Sequence, residues 1–256
     1  MSNLFSVYKR ELKAYFVSPV AYVVLIIFLV VAGFFFTAII QEFARRSLTM
    51  QGYPYGGGPE MNITAWLEMF FGNTAVWILF VLPLLSMRLF SEEKRQGTME
   101  LLFTYPIRDW ETVLGKYFAC VTVFVLMLVV SSVNMLLLAK YGEPEFGPIL
   151  SAYLGLFLMG MAFLAVGTFI SSLTENQIVA AVGTFGTLLL LWVLYWLSNT
   201  VGPRMGRFLE EISMVQRYNS FAKGVIEIKD ATYYILFTVF FLFLTLRALE
   251  SKKWRG

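Results

Sequence analysis

The chain has 256 residues, of which 58% are hydrophobic and 14% are charged, with a formal net charge of +3. So apolar a chain is not a water-soluble domain, and its basic residues are spread over several loops, which excludes the clustered positive surface of a nucleic-acid-binding protein. Histidine is absent and Cys120 is the single cysteine, so intrachain disulfides, Cys/His zinc sites and histidine-based catalysis are excluded. The composition predicts an all-α polytopic membrane protein.

The N-terminal residues combine apolar and charged side chains with a helical period. Apolar residues recur every three to four positions, and Lys9 and Lys13 fall between them. This pattern predicts an amphipathic helix over residues 3–17 that lies in the membrane interface. The uncharged run that follows predicts a first span at about 19–40, and it is too long for the apolar part of a signal peptide.

The first two spans are separated by a segment that predicts a loop over residues 41–68. Its centre, residues 52–59, is rich in glycine, proline and tyrosine, and a solvated connector is favoured over a contact surface for a substrate or partner. The second span is placed at about 70–90. It contains Pro83, which predicts a kink in the helix.

Residues 91–116 form a long charged island between two membrane-length runs. Its acidic and basic residues suit the exposed start of a helix, which Gly97 is expected to interrupt. Asp109 is expected to cap the next helix, with Glu111 in its first turn, where the helix dipole favours an anion. That helix continues into the third span at about 115–139. The island therefore predicts a short helix on one membrane face, held by two spans.

The fourth and fifth spans are placed at about 149–172 and 177–197, with a short polar turn between them. Gly183 and Gly186 predict that the fifth span packs in the interior of the helix bundle. The fourth span carries small residues that predict close contact with neighbouring helices. The glycines among them are Gly155, Gly160 and Gly167.

Residues 198–230 mix apolar and charged side chains, which predicts short amphipathic helices that rest on the membrane surface or fold partly back into it. The last span is placed at about 231–249. Tyr233 and Tyr234 at its start are expected to anchor it at the membrane interface. With six spans in all, residues 1–256 are predicted to form one transmembrane domain.

Six spans place both termini on one side of the membrane, together with the charged island. That side holds 12 of the 20 lysines and arginines: three in the N-terminal helix, five around the island and four at the C-terminus. Cytoplasmic loops carry the excess of positive charge, so the termini and the island are predicted to be cytoplasmic. The same rule predicts an outer-side hairpin at residues 198–230.

The predicted spans contain no acidic or basic residue near their centres. Ion-coupled and proton-coupled carriers need such groups at mid-membrane, so a secondary transporter is disfavoured. No histidine is available to a serine nucleophile and no aspartate lies in a span, which disfavours intramembrane hydrolysis. The dipeptide Gly115-Lys116 lacks the first glycine and the Ser/Thr of a phosphate-binding loop. The energy for transport is therefore expected from a soluble partner.

Six motifs are spread along the chain, and together they share their order and spacing with one family. They are Tyr8–Leu12 with Ser18-Pro19, Met87–Leu102, Pro106–Trp110, Leu114–Lys116, Ser171–Gln177 and Phe221–Asp230. The set resembles the ABC-2 type transporter permeases over the whole chain. The closest resemblance is to the branch that includes the gliding-motility permease subunit.

The resemblance implies that residues 3–17 form an elbow helix. It also implies that the cytoplasmic segment 91–112 contains a coupling helix, within 91–105, that docks on a separate ATPase subunit. The turn at 171–177 would be a second, smaller contact with that subunit. The alternative is a solvated loop whose charges only determine the membrane topology.

The residues implied to act in ATPase coupling are Glu93, Gly97, Thr98, Glu100, Leu101, Pro106 and Glu175. In this interpretation Glu93 and Glu100 engage basic or hydroxyl groups of the ATPase. Gly97 permits close approach, and Leu101 fills an apolar groove.

The function implied by the resemblance is that of a permease subunit, which moves an unidentified substrate with export as the expected direction. The chain itself is not expected to be an enzyme or to hold a cofactor or metal, because ATP and Mg²⁺ are bound by the partner ATPase. The alternative function is that of a mechanotransmitter or membrane scaffold, which couples ATPase motion to an outer-side partner without moving a substrate.

The expected partners follow from the same resemblance. They are a cytoplasmic ABC ATPase subunit, a second permease copy or paralogue that completes a dimer, the lipid bilayer, and an auxiliary membrane subunit with an outer-side domain. Nucleic acid is not among them. The expected location is the bacterial inner membrane, as a multi-pass protein with both termini in the cytoplasm.

Overall fold

The computed structural model describes residues 3–50, 63–98, 108–141, 144–198 and 200–253. This part of the chain forms eleven α-helices and no β-strand, which confirms the all-α prediction. The helices are α1 (Asn3–Val17), α2 (Pro19–Met50), α3 (Ile63–Ser86), α4 (Arg88–Arg95), α5 (Asp109–Ser131), α6 (Val133–Tyr141), α7 (Phe146–Leu173), α8 (Gln177–Ser198), α9 (Pro203–Ile212), α10 (Met214–Ala222) and α11 (Ile228–Lys253).

Six stretches of the described helices are long and apolar enough to cross a membrane, as the sequence predicts. They are Pro19–Leu48, Ile63–Arg95, Asp109–Lys140, Phe146–Leu173, Gln177–Ser198 and Ile228–Ser251. Consecutive stretches run in opposite directions, so α1, α4, the start of α5 and the α7–α8 turn share one end of the bundle, called the elbow end below. The helices α9 and α10 and the start of α11 lie at the other end, called the hairpin end.

The loop predicted between the first two spans is helical on both flanks. Helix α2 continues to Met50 and α3 already begins at Ile63, so the loop prediction is wrong for these flanks. Glu42 pairs with Arg45 at 2.9 Å and with Arg46 at 2.7 Å. Ion pairs three and four residues apart support a helix that has left the apolar region. The glycine-rich centre of the segment lies outside the described residues.

Helix α7 is the most buried of the described spanning helices, and it packs against α3, α5, α8, α10 and α11. Its glycines make this possible. A β-carbon built on Gly155 would lie 2.5 Å from the Cβ of Phe221. One built on Gly167 would lie 2.5 Å from the Cβ of Ser86, and one built on Gly160 would lie 2.1 Å from an aromatic ring of α5. The predicted close helix contacts of these three glycines are therefore confirmed.

Helix α8 is not packed in the interior, and that prediction is wrong for the single chain. Apart from the nearby backbone of α8 itself, no described atom lies within 4 Å of a β-carbon built on Gly186, whereas one on Gly183 meets only the side chain of Ile170. The physical reason is position: α8 lies at the edge of the bundle, so most of its apolar surface faces outwards. Its exposed residues include Ile178, Val182, Leu190, Val193 and Trp196.

Short helices were expected between residues 198 and 230, and the hairpin end contains two of them, α9 and α10. Arg217 of α10 forms an ion pair with Asp230 of α11 (2.9 Å), and neither side chain is more than 10% exposed. The guanidinium also lies 4.2 Å from the ring centre of Tyr233. Tyr234 is buried and donates a hydrogen bond to the carbonyl of Met214 (2.7 Å), so the prediction of an interface anchor is wrong for this tyrosine. These contacts fasten α10 to the last span.

Candidate functional site

Four of the residues implied in ATPase coupling are described by the structure, and all four lie at the elbow end. Glu93 is in α4, Gly97 and Thr98 follow the end of that helix, and Glu175 is in the α7–α8 turn. Gly97, Thr98 and Glu175 are exposed. The other three predicted residues lie outside the described residues; they are Glu100, Leu101 and Pro106.

Helix α4 ends where the sequence predicts an interruption. Gly97 has a φ of 69°, a left-handed conformation that glycine adopts without steric cost. Its N–H donates to the carbonyl of Lys94 (3.1 Å), and the hydroxyl of Thr98 donates to the carbonyl of Glu93 (3.3 Å). The end of α4 is therefore closed by a backbone hydrogen bond at Gly97 and by the side chain of Thr98.

Four charged side chains from three helices meet at one point beside α4; we call them the four-charge cluster. Nζ of Lys116 lies 2.9 Å from Oε1 of Glu93 and 3.1 Å from Oε1 of Glu11. Nη2 of Arg10 lies 2.9 Å and 2.8 Å from the same two oxygens. The ammonium of Lys116 also sits 5.4 Å from the ring centre of Phe90. The cluster joins α1, α4 and α5.

Three members of the four-charge cluster are largely excluded from water, and Arg10 is the exposed fourth. The side chain of Lys116 is 2% exposed, while those of Glu11 and Glu93 are 15% and 16% exposed. Lys116 and the half-exposed Arg10 together balance the two carboxylates, so no net charge is left uncompensated. Removing one member of such a buried group costs about 3–5 kcal/mol, because its partner stays buried and unpaired. Oε2 of Glu93 is itself buried without a hydrogen-bond partner in the described structure.

The approach of α1 to α5 depends on a glycine next to the buried lysine. A β-carbon built on Gly115 would lie 2.9 Å from Cγ1 of Val7 and 3.1 Å from the carbonyl oxygen of Leu4. Only a hydrogen fits at this position, and the close contact brings Glu11 within reach of Lys116. The dipeptide that superficially resembles part of a phosphate-binding loop therefore serves helix packing and ion pairing.

The start of α5 differs from the expected capping arrangement. The helix begins at Asp109, so this residue occupies the first helical turn, and the prediction that it caps the helix is wrong. The carboxylate of Glu111 accepts a hydrogen bond from the backbone N–H of Arg108 (3.0 Å) and one from the amide of Asn3 (3.4 Å). Glu111 therefore accepts the hydrogen bond of a free N–H group at the start of α5. It does so from the first turn of the helix, as the sequence predicts.

Sequence reasoning found one member of the four-charge cluster and missed the other three. Glu93 was predicted to contact the ATPase, and its described partners are Arg10 and Lys116 of its own chain; the contact with an ATPase stays a prediction. The one local signal that could have indicated Lys116 is its position directly before the apolar run of the third span. Its partner Glu11 lies more than a hundred residues away, so local patterns could not connect them.

The pKa of Glu11 makes the four-charge cluster sensitive to acid. Burial by itself would raise this pKa, but the charge of Lys116 and the hydrogen bond from Arg10 outweigh burial and lower it below the ordinary value of 4.5. A carboxylate with a lowered pKa in the folded protein adds stability above its unfolded pKa, and this contribution is lost as the pH falls through the folded pKa.

We therefore expect the melting temperature of the detergent-solubilised protein to fall as the pH is lowered from 6 to below 4.5. A Glu11→Gln variant should melt at a lower temperature at pH 6 and should lose less on acidification, because it has no carboxylate to protonate at this site. Glu227→Gln, at an exposed position of the hairpin end, is the control and should retain the wild-type pH dependence. Equal slopes for wild type and Glu11→Gln would contradict the assignment.

Comparison with known proteins agrees with the resemblance of the motifs. A family model described as ABC-2 family transporter protein matches residues 58–247, well over half of the chain. The matched region contains α3 to α10 and most of α11, and therefore includes α4, Lys116 and the α7–α8 turn. No curated protein matches the chain.

Proposed function

Because the chain belongs to the ABC-2 transporter family, we propose that it is the permease subunit of an ATP-driven exporter whose ATP and Mg²⁺ are bound by a separate subunit. Membership makes the chain a membrane permease component of an ABC transporter, and the family associates with an ABC ATPase subunit. In the proposal a second copy or a paralogue completes the permease in the bacterial inner membrane. The elbow end and both termini face the cytoplasm.

The observation that supports coupling at the elbow end is the four-charge cluster. Helix α4 leads directly into the segment predicted to dock on the ATPase, and its Glu93 is paired with Lys116 of α5 and with Arg10 of α1. A displacement of α4 is therefore passed to two further helices through short ion pairs. A flexible loop would absorb the same displacement. The helices of the elbow end are expected to tilt as one body when the ATPase subunits approach each other.

The proposed contact surface with the ATPase consists of the exposed residues at the elbow end. Gly97 and Thr98 continue into the segment that contains Glu100 and Leu101, and Glu175 adds the smaller contact. Pro106, which precedes α5 in the sequence, is predicted to end this segment. In this proposal Glu93 acts from inside the bundle, because its carboxylate holds α4 in the position from which the following residues reach the ATPase.

We expect an ABC ATPase subunit to co-purify with the tagged chain from gently solubilised membranes, as identified by mass spectrometry. The amount of ATPase that co-purifies with a Thr98→Arg/Glu175→Arg double variant should be at least tenfold lower than with the wild type. A loss of about 1.4 kcal/mol of binding free energy already lowers the affinity tenfold. Both positions are exposed, so the fold should survive, and the melting temperature checks this.

The matched control is Glu227→Arg, which makes the same substitution as Glu175→Arg at an exposed position of the hairpin end. It should retain the ATPase at the wild-type level. If Glu227→Arg lost the ATPase and the double variant kept it, the docking surface would lie at the hairpin end and the proposed surface would be wrong. Absence of an ATPase from the wild-type sample would overturn the proposal. Co-purification of a subunit with a large outer-side domain, without transport, would favour the mechanotransmitter function.

A further inference from the structure

Helices α3 and α4 are almost continuous, yet the helical hydrogen bonding is interrupted between them. Helix α3 ends at Ser86 and α4 begins at Arg88. Met87, between them, keeps helical dihedral angles, with φ −55° and ψ −34°, and its side chain makes no capping hydrogen bond. The N–H groups in the first turn of any helix lack partners within that helix. The start of α4 therefore needs hydrogen-bond acceptors from elsewhere.

Ser171 of α7 supplies the missing acceptor. Its Oγ accepts hydrogen bonds from the backbone N–H groups of Phe90 and Ser91, both at 3.1 Å. The same hydroxyl donates to the carbonyl oxygen of Met87 at 2.8 Å. One donor and two acceptor positions are all that a serine hydroxyl has, so its capacity is fully used. Ser171 is buried and caps α4 from a neighbouring helix.

Other contacts hold the same junction from both sides. The hydroxyl of Tyr15, on α1, donates to the carbonyl of Leu85 at 2.8 Å, and the guanidinium of Arg88 donates to Ser18 at 2.8 Å. On the α7 side, Nζ of Lys94 donates to the carbonyl of Ser172. A side chain inserted into a helical hydrogen-bond ladder is a known cause of a change in helix direction. The α3–α4 junction is thus positioned by α1 and α7 together.

We infer that Ser171 is a positioning residue for coupling: its hydroxyl sets the direction of α4 relative to α7. This inference rests on the proposed function. The two predicted ATPase contacts, the end of α4 and the α7–α8 turn, are thereby joined into one surface, because α7 carries both Ser171 and the turn. When the hydroxyl is lost, α4 keeps its ion pairs in the four-charge cluster but is no longer aligned with the turn.

The test uses the complex of the tagged chain with its co-purified ABC ATPase, and compares Ser171→Ala with Thr168→Val. Thr168 is one turn earlier on α7 and equally buried, and its hydroxyl donates only to the carbonyl of Leu164 in its own helix. Hydrogen exchange of residues 88–95 should become about tenfold faster in Ser171→Ala, because two amide groups lose their acceptor. Thr168→Val should leave it unchanged.

The functional readout is the ATP-dependent change in hydrogen exchange of α9 and α10, which needs no knowledge of the substrate. Wild type and Thr168→Val should show this change, and Ser171→Ala should lose at least half of it while still binding the ATPase. A Ser171→Ala complex with the full ATP-dependent change would overturn the inference and leave the proposed function intact. A wild type that binds no ATPase would overturn both.

Discussion

Replacing Lys116 by methionine is expected to destabilise the protein by about 3 kcal/mol and to abolish ATP-driven motion of the bundle. Methionine fills the volume of the lysine side chain, so the loss comes from the charge: Glu11 and Glu93 stay buried and share only Arg10. The measurement is chemical or thermal unfolding of the detergent-solubilised protein. The ATPase rate of the complex is measured in parallel.

The control for this prediction is Lys13→Met, which removes an exposed lysine from α1. Its effect on stability should stay within about 0.5 kcal/mol, as for most surface substitutions. A double-mutant cycle with Glu93→Gln isolates the pair. The double variant should lose clearly less than the sum of the two single variants, because each single change leaves a buried charge unpaired. Additive losses would contradict a direct interaction between Lys116 and Glu93.

The second large effect is expected from Gly167→Ala. The added methyl group would lie 2.5 Å from the Cβ of Ser86, an atom attached directly to the backbone, so α3 must move away from α7. Overpacking of this kind costs about 1–3 kcal/mol. Gly167 is one turn before Ser171, so the same displacement should weaken the hydroxyl cap on α4 and reduce ATPase coupling.

The matched control for Gly167→Ala is Gly72→Ala on α3. Apart from the nearby backbone of α3 itself, no described atom lies within 4 Å of a β-carbon built on Gly72, and alanine is the better helix former by about 1 kcal/mol. This variant should be as stable as the wild type or slightly more stable. Equal melting temperatures for the two variants would show that the contact between α3 and α7 relaxes without cost.

The all-α class, the number of spanning stretches and the family were correctly predicted from the sequence. These features depend on local patterns: apolar length decides whether a helix crosses a membrane, and helical periodicity predicts the amphipathic helix that the structure has at Asn3–Val17. The small residues of α7 were also sufficient to predict close helix packing, because Gly155, Gly160 and Gly167 all contact neighbouring helices as expected. Local signals correctly predicted Gly97 as an interruption, since a glycine readily adopts its positive φ.

Contacts between residues that are distant in the sequence could not be predicted from it. Glu93 has the same local sequence whether it faces an ATPase or Lys116, and Ser171 is an ordinary serine at a helix end until α4 lies beside it. The burial of Tyr234 and the exposure of α8 likewise depend on where neighbouring helices lie. Hydrogen bonds and ion pairs act over a few ångströms, between side chains that are far apart in the sequence. Their partners are therefore chosen by helix packing, and a local pattern does not contain them.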